Sequence, residues 1–230
     1  MSDETRDFAR ELYPFLYAPA ATSDESLPAL LEAVRRSTAD KYADVSSLRR
    51  ELLAEYQGQL GVAARAMADR FARGGKLLAF GNGGSATDAD DAAADCVYPV
   101  RADWRALPAL SLPADGATLS AVANDVGIEH VFVRQIAALG ESDDIALGIS
   151  TSGRAANVIA GLAEARRRGM LTVAFTGYDG GAFARDGSVD FCFVARREFV
   201  PRIQEGHATL WHCLLALVHS ELDRPAEAAA

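Results

Sequence analysis

Four aspartates, Asp88, Asp90, Asp91 and Asp95, fall within eight positions, directly after the run GNGGS at residues 81–85. The glycines let the backbone bend and present its amides. Ser85 stands where it can cap a following helix, whose N-terminus carries partial positive charge. Such a loop suits a phosphate; it is also what a plain strand-to-helix turn looks like. It has neither the lysine of a P-loop nor the spacing of a dinucleotide fingerprint, so no nucleotide cofactor is expected. On a helix, Asp88, Asp91 and Asp95 share one face. Asp88 and Asp90 lie near the helix start, where the dipole favours carboxylates. Asp95 is too far along for that. Beside apolar alanines it could be a general base, a metal ligand or a solvated surface residue.

A second stretch, ISTSGRAAN at 149–157, sets Ser150, Thr151 and Ser152 before Gly153 and another helix. Hydroxyls and helix-start amides together complement the several oxygens of a phosphate, and Arg154 can add a charge-assisted contact. Helix capping needs only Ser152. A third loop, FTGYDGG at 175–181, is a less specific glycine turn. Near the C-terminus Gln204, Glu205, His207 and His212 gather donors for acid–base or metal chemistry, a weak signal by itself.

The elements that would hold these residues follow from periodicity. The first third of the chain predicts helices: one around Phe8, Leu12 and Phe15, one over 23–45 capped by Ser23 or Ser26, and one over 46–75. In the last, Leu48, Leu52, Tyr56 and Leu60 form a stripe, and Gly74 and Gly75 end it. From residue 76 short apolar runs (76–80, 107–112, 144–150, 171–176, 189–194) alternate with helical stretches, which predicts a parallel sheet with helices on both faces. A long apolar helix closes the chain. Ligands of such a sheet bind outside the carboxyl ends of its strands, where all three loops belong.

The 230 residues carry a net charge of −9, which argues against a nucleic-acid surface. No run is long and apolar enough for a membrane span, and the charged N-terminus lacks a signal segment, so a cytoplasmic protein is expected. The three cysteines, Cys96, Cys192 and Cys213, predict reduced thiols, with Cys192 and Cys213 lining the core.

Together, GNGGSATDA (81–89), VANDVG (122–127), GISTSG (148–153), GMLTVAFTG (169–177) and RIQEGH with a histidine at 212 resemble the sugar isomerase (SIS) domain, and within it the bacterial phosphoheptose isomerase family. The resemblance implies an α/β three-layer sandwich with a five-stranded parallel, flavodoxin-like sheet over residues 45–224. An N-terminal helical arm (1–44) would precede it and a disordered tail (225–230) would follow. It implies a homotetramer that interconverts sedoheptulose 7-phosphate and an aldoheptose 7-phosphate through an enediol. Asn82, Gly83, Gly84, Ser85 and Gln204 would contact the substrate, with Asn124 and Asp125 nearby, and Ser150, Thr151 and Ser152 would hold the phosphate beside Arg154. Asp95 matches the position of the family's glutamate base and His212 that of its histidine acid. A divalent metal would fall on Asp91, Asp95, Gln204 and His212.

The departures from the family pattern are Asp91 for histidine, Asp95 for glutamate, Ala155 for serine and Pro201 for aspartate. The resulting oxygen-rich ligand set suits Mg²⁺ or Mn²⁺ at least as well as Zn²⁺. Two functions are therefore expected in order: a sugar-phosphate aldose–ketose isomerase, and a catalytically silent sugar-phosphate-binding oligomer that acts as sensor or partner.

Overall fold

The computed structural model describes residues 27–224. Five strands form one sheet: β1 (Leu77–Gly81), β2 (Ala109–Ser111), β3 (Ile145–Ser150), β4 (Leu171–Gly177) and β5 (Phe191–Ala195). Their order is β2-β1-β3-β4-β5, and every pairing is parallel. Strands β1, β3 and β4 are buried along their whole length. That is why they read as unbroken apolar runs rather than as alternating patterns.

The helices are α1 (Leu27–Ala72), α2 (Gly84–Val97), α3 (Gly116–Asp125), α4 (Val131–Leu139), α5 (Ala156–Arg167), α6 (Gly181–Asp186) and α7 (Val200–Leu222). One face of the sheet packs on apolar residues of α1, α2 and α7, among them Leu52, Tyr56, Ala89, Ala92, Leu210 and Leu214. The other packs on residues of α4, α5 and α6, including Phe132, Ile136, Val158, Leu162 and Phe183. The expected three-layer α/β sandwich is thus present.

Several local expectations are corrected. Instead of two helices over 23–45 and 46–75, one helix of 46 residues runs through. The junction Asp44-Val45-Ser46-Ser47 contains no glycine or proline, and the Ser47 hydroxyl donates to Glu51 one turn on (2.7 Å) rather than opening a new helix. The predicted stripe Leu48, Leu52, Tyr56 and Leu60 is buried. The caps Ser23 and Ser26, the helix around Phe8, Leu12 and Phe15, and the tail 225–230 lie outside the described residues. The last helix starts at Val200, with Pro201 in its first turn, where a missing N–H costs nothing. All three cysteines are free, but Cys213 is exposed and Cys192 only half-buried; Cys96 is the one in the core, where burial pushes its thiol up to about 12.

Among the described residues no helix is long and apolar enough to cross a membrane.

From β1 the chain moves to β2 on one side; from β2 it returns to β3 on the other side of β1. The crevice at this reversal is where open parallel sheets take ligands. Gly81 and Ile149 are register partners there. A Cβ on Gly81 would lie 2.5 Å from the Ser85 carbonyl oxygen and 2.8 Å from that of Ile149. Both obstacles are backbone, so neither can yield cheaply. Gly81→Ala is expected to lower stability by roughly 1–3 kcal/mol, the range for overpacking a close-packed interior. Urea unfolding of the two proteins measures it.

Candidate functional site

The two expected anion loops share one rim. The first, 82–85, leaves β1; the second, 151–155, leaves β3, its hydrogen-bonded neighbour. Two reciprocal amide bonds join them: Asn82 Nδ2 donates to Asn157 Oδ1 (2.8 Å) and Asn157 Nδ2 donates to Asn82 Oδ1 (2.9 Å). Asn157 is buried at the start of α5, so the pair clamps one loop to the helix that follows the other.

Neither serine acts as the helix cap that the sequence suggested. The N-cap of α2 is Gly83, at φ +56°, and Ser85 lies inside the helix, buried. The N-cap of α5 is Ala155, which has no hydroxyl. Ser152 Oγ accepts the Arg154 N–H at 3.2 Å and is half-exposed, as is Thr151. Ser150 is buried, as the last residue of β3. In the first loop the amides of Ser85 and Ala86 are taken by the carbonyls of Asn82 and Gly83 (3.0 and 2.9 Å). The N–H groups of Gly83 and Gly84 precede these and meet no acceptor among the described residues, as the first amides of a helix do.

The third loop braces the second. Ala182 N–H donates to the Gly153 carbonyl (2.9 Å), and the two backbones pass so closely that a Cβ on Gly153 would lie 2.4 Å from the Gly180 oxygen. Gly153 itself takes φ +61°, open to glycine at little cost. Ser152, Arg154, Tyr178 and Asp179 line a pocket of about 230 Å³. Arg154 is exposed and reaches Asp179 at 3.5 Å, a longer contact than the 2.6 Å between Asp179 and Arg185. Tyr178 stands at φ +50°, an uncommon conformation for a residue with a side chain.

The acidic face of α2 lies along α7, and the two helices run in the same sense. Gln204 packs over Gly84, His207 faces Asp88 and His212 faces Asp95. His212 Nε2 is 3.6 Å from Asp95 Oδ2; the His212 side chain is 69% exposed and that of Asp95 19%. The carboxylate is thus shielded while its imidazole neighbour is open to a ligand. Trp211 Nε1 donates to the same Asp95 oxygen at 3.0 Å. Asp88, Asp91, His207, Trp211 and His212 help to line a cavity of about 70 Å³ against β3 and β4. Asp90 turns away, accepting from Ser111 at the end of β2.

The comparisons with known proteins bear directly on this arrangement. The SIS domain family matches residues 41–177. The phosphoheptose isomerase of Thermodesulfovibrio yellowstonii is 45% identical over 159 residues, covering 69% of this chain and 78% of that protein. That of Geobacter sulfurreducens is 42% identical over 178 residues, covering 77% and 91%. The solved structure of the phosphoheptose isomerase of Neisseria gonorrhoeae superposes with a TM-score of 0.72 at 35% identity, covering 81% of this chain and 99% of that one. The chain belongs to the phosphoheptose isomerase family of SIS-domain proteins.

Against that family's pattern, the four metal positions fare unevenly. Gln204 sits inside α7, and a Cβ on Gly84 would lie 2.2 Å from its Nε2. Asp95 is eleven residues farther along α2, about 16 Å at 1.5 Å per residue. Gln204 therefore does not converge with Asp95 and His212 on one ion within the chain. Among the described residues no three His, Cys, Asp or Glu side chains form a metal-binding group. The expected four-residue ligand set does not fit as this chain folds, because its members are strung along two parallel helices instead of gathered at one level. Asn124 and Asp125, at the end of α3, are exposed and hydrogen-bonded to each other (2.7 Å), with no bond to either loop.

The sequence assigned Asp88 to the helix dipole, placed His207 only in a weak cluster of donors near the C-terminus, and pointed to no role for Trp211. His207 is 1% exposed, and its Nε2 lies 2.9 Å from the Thr176 carbonyl; a carbonyl only accepts, so Nε2 carries the hydrogen. Its Nδ1 lies 3.9 Å from Asp88 Oδ2, and neither atom has a hydrogen-bond partner among the described residues. His207→Phe keeps a ring in place but removes the imidazole N–H that the Thr176 carbonyl accepts. It is expected to lower stability by about 1–3 kcal/mol, measured by thermal and urea unfolding.

Proposed function

We propose that the chain is an aldose–ketose isomerase acting on a heptose 7-phosphate, sedoheptulose 7-phosphate in the ketose direction. The observation that supports this most directly is the Asp95–His212 pair, which occupies the family's base and acid positions at 3.6 Å in a chain 45% identical to phosphoheptose isomerases. In this reading the phosphate is held by the hydroxyls of Ser150, Thr151 and Ser152, with Arg154 exchanging Asp179 for the ligand. Asn82, Gly83, Gly84, Ser85 and Gln204 line the neighbouring loop and contact the sugar, with Asn124 and Asp125 nearby.

Asp95 takes the proton from the carbon next to the carbonyl, and the bonding electrons move onto the carbonyl oxygen. His212 gives that oxygen a proton, forming the neutral enediol. His212, now neutral, takes the proton from the enediol's other hydroxyl and is restored, while Asp95 returns its proton to the neighbouring carbon, so aldose and ketose exchange without net oxidation. The acid must be reachable and the base poorly solvated, which the unequal exposure of the two side chains provides. No step is assigned to a metal ion, because the ligand set above does not converge. A catalytically silent sugar-phosphate-binding module is not favoured, since the relatives named above bear an enzyme's name.

In D₂O the protein should place deuterium at C1 or C2 of sedoheptulose 7-phosphate, read by NMR or mass spectrometry. Asp95→Asn should slow that exchange by roughly 10²–10⁴-fold, the usual contribution of a positioned base. Ser152→Ala should raise KM about 5–10-fold with kcat little changed, as loss of one hydrogen bond made equally in ground and transition states does. Absence of exchange, with and without added divalent cations, would overturn the proposal. We further propose a homo-oligomer, a tetramer as in the family pattern; a single-chain mass by light scattering would refute it.

A further inference from the structure

Trp211 is buried, 4% exposed, in the apolar layer between the sheet and its helices. An indole N–H only donates, and a buried one that meets no acceptor is costly. The acceptor it meets is Asp95 Oδ2, 3.0 Å away and on a different helix. The same oxygen faces His212 Nε2 at 3.6 Å, so two consecutive residues of α7 bracket one carboxylate oxygen of α2. Oδ1 of Asp95 makes no hydrogen bond among the described residues. Aspartate has one methylene fewer than the glutamate of the family pattern and so fewer rotatable bonds, and a single hydrogen bond to one of its oxygens fixes the plane of the carboxylate.

We infer that Trp211 is a positioning residue for the reaction: its indole N–H fixes Asp95 by Oδ2 and leaves Oδ1 as the oxygen that takes the substrate proton. The inference rests on Asp95 being the base. Trp211 lies on α7 beside Asp95 and outside the loops 82–85 and 151–155, so its contribution belongs to the chemical step and not to binding. Displacing a reacting group by about 1 Å can cost roughly a hundredfold in rate.

The test replaces Trp211 in the full-length protein in two ways. Trp211→Phe removes the N–H together with part of the ring. Site-specific incorporation of 3-benzothienylalanine at 211 keeps the shape of the ring system and removes only the N–H, so it answers the question even if Trp211→Phe folds poorly. Both should lower kcat for sedoheptulose 7-phosphate by about 10–100-fold with KM within about 2-fold, and the isostere should unfold at nearly the parent temperature. Unchanged kcat in the isostere, or a loss confined to KM, would overturn the inference. Asp95→Asn separates the two readings. If it is inactive while the isostere turns over normally, only the role of Trp211 falls. If it retains full turnover, the base assignment falls and this inference with it.

Discussion

The structure depends on the close parallel contact between β1 and β3 at the point where the order of the sheet reverses. Gly81 opposes Ile149, and no side chain fits between their backbones. The chain must therefore leave both strands at the same level and turn in opposite directions, β1 into α2 on one face and β3 into α5 on the other. Two helix beginnings end up at one rim, the amides of Gly83 and Gly84 without acceptors among the described residues in one and the half-exposed hydroxyls of Thr151 and Ser152 in the other. The Asn82–Asn157 amide pair then holds that crevice at a set width. In an otherwise acidic protein this is where a phosphate can be accepted, because backbone dipoles attract an anion regardless of net charge.

A second constraint comes from the helices on one face. Because α2 starts at the rim and α7 runs beside it in the same sense, position along the pair measures distance from the phosphate loops. Gln204 lies at the rim with Gly84, Asp88 and His207 lie one turn in, and Asp95 and His212 lie farthest. Different chemistry therefore follows along the pair: helix-start amides at the rim, then a buried carboxylate–imidazole contact, then the more open pair. The same arrangement pulls Gln204 out of any ligand set built on Asp95. α7 is held in place from its N-terminal side by Arg197, which pairs with Asp44 (2.9 Å) and Glu51 (2.8 Å) of α1. The hydrogen bond from Arg197, then that from Ser47, hold the Glu51 carboxyl well down, to about 2.

The substitutions that set this chain apart from its family are thus answered unevenly by its surroundings. Asp95, shorter by a methylene than glutamate, accepts an indole N–H from Trp211. Pro201 sits in the first turn of α7, where it is well tolerated. Ala155 serves as N-cap of α5 without a side-chain bond, which leaves Thr151, Ser152 and Arg154 as the polar side chains of that loop. Asp91 lines the small cavity, and nothing in the structure explains why it replaces histidine there.

Much of this was legible in the order of the residues. Alternation of short apolar runs with helical periods determined a parallel α/β sandwich, and glycines with hydroxyls after β1 and β3 determined where an anion could sit. Those signals are local: a strand buried on both faces must be apolar throughout, and a helix start must expose its first amides. Motif spacing likewise carried the family. Other features were not local. Whether Asp88 merely balanced a dipole or faced a buried histidine, and whether Gln204 joined Asp95 or Gly84, depended on how two distant helices align. Residues about 120 positions apart in the chain meet only once the sheet sets both helices on the same face. No periodicity within either helix encodes their mutual register, so the tertiary structure alone decided which carboxylate meets which ring.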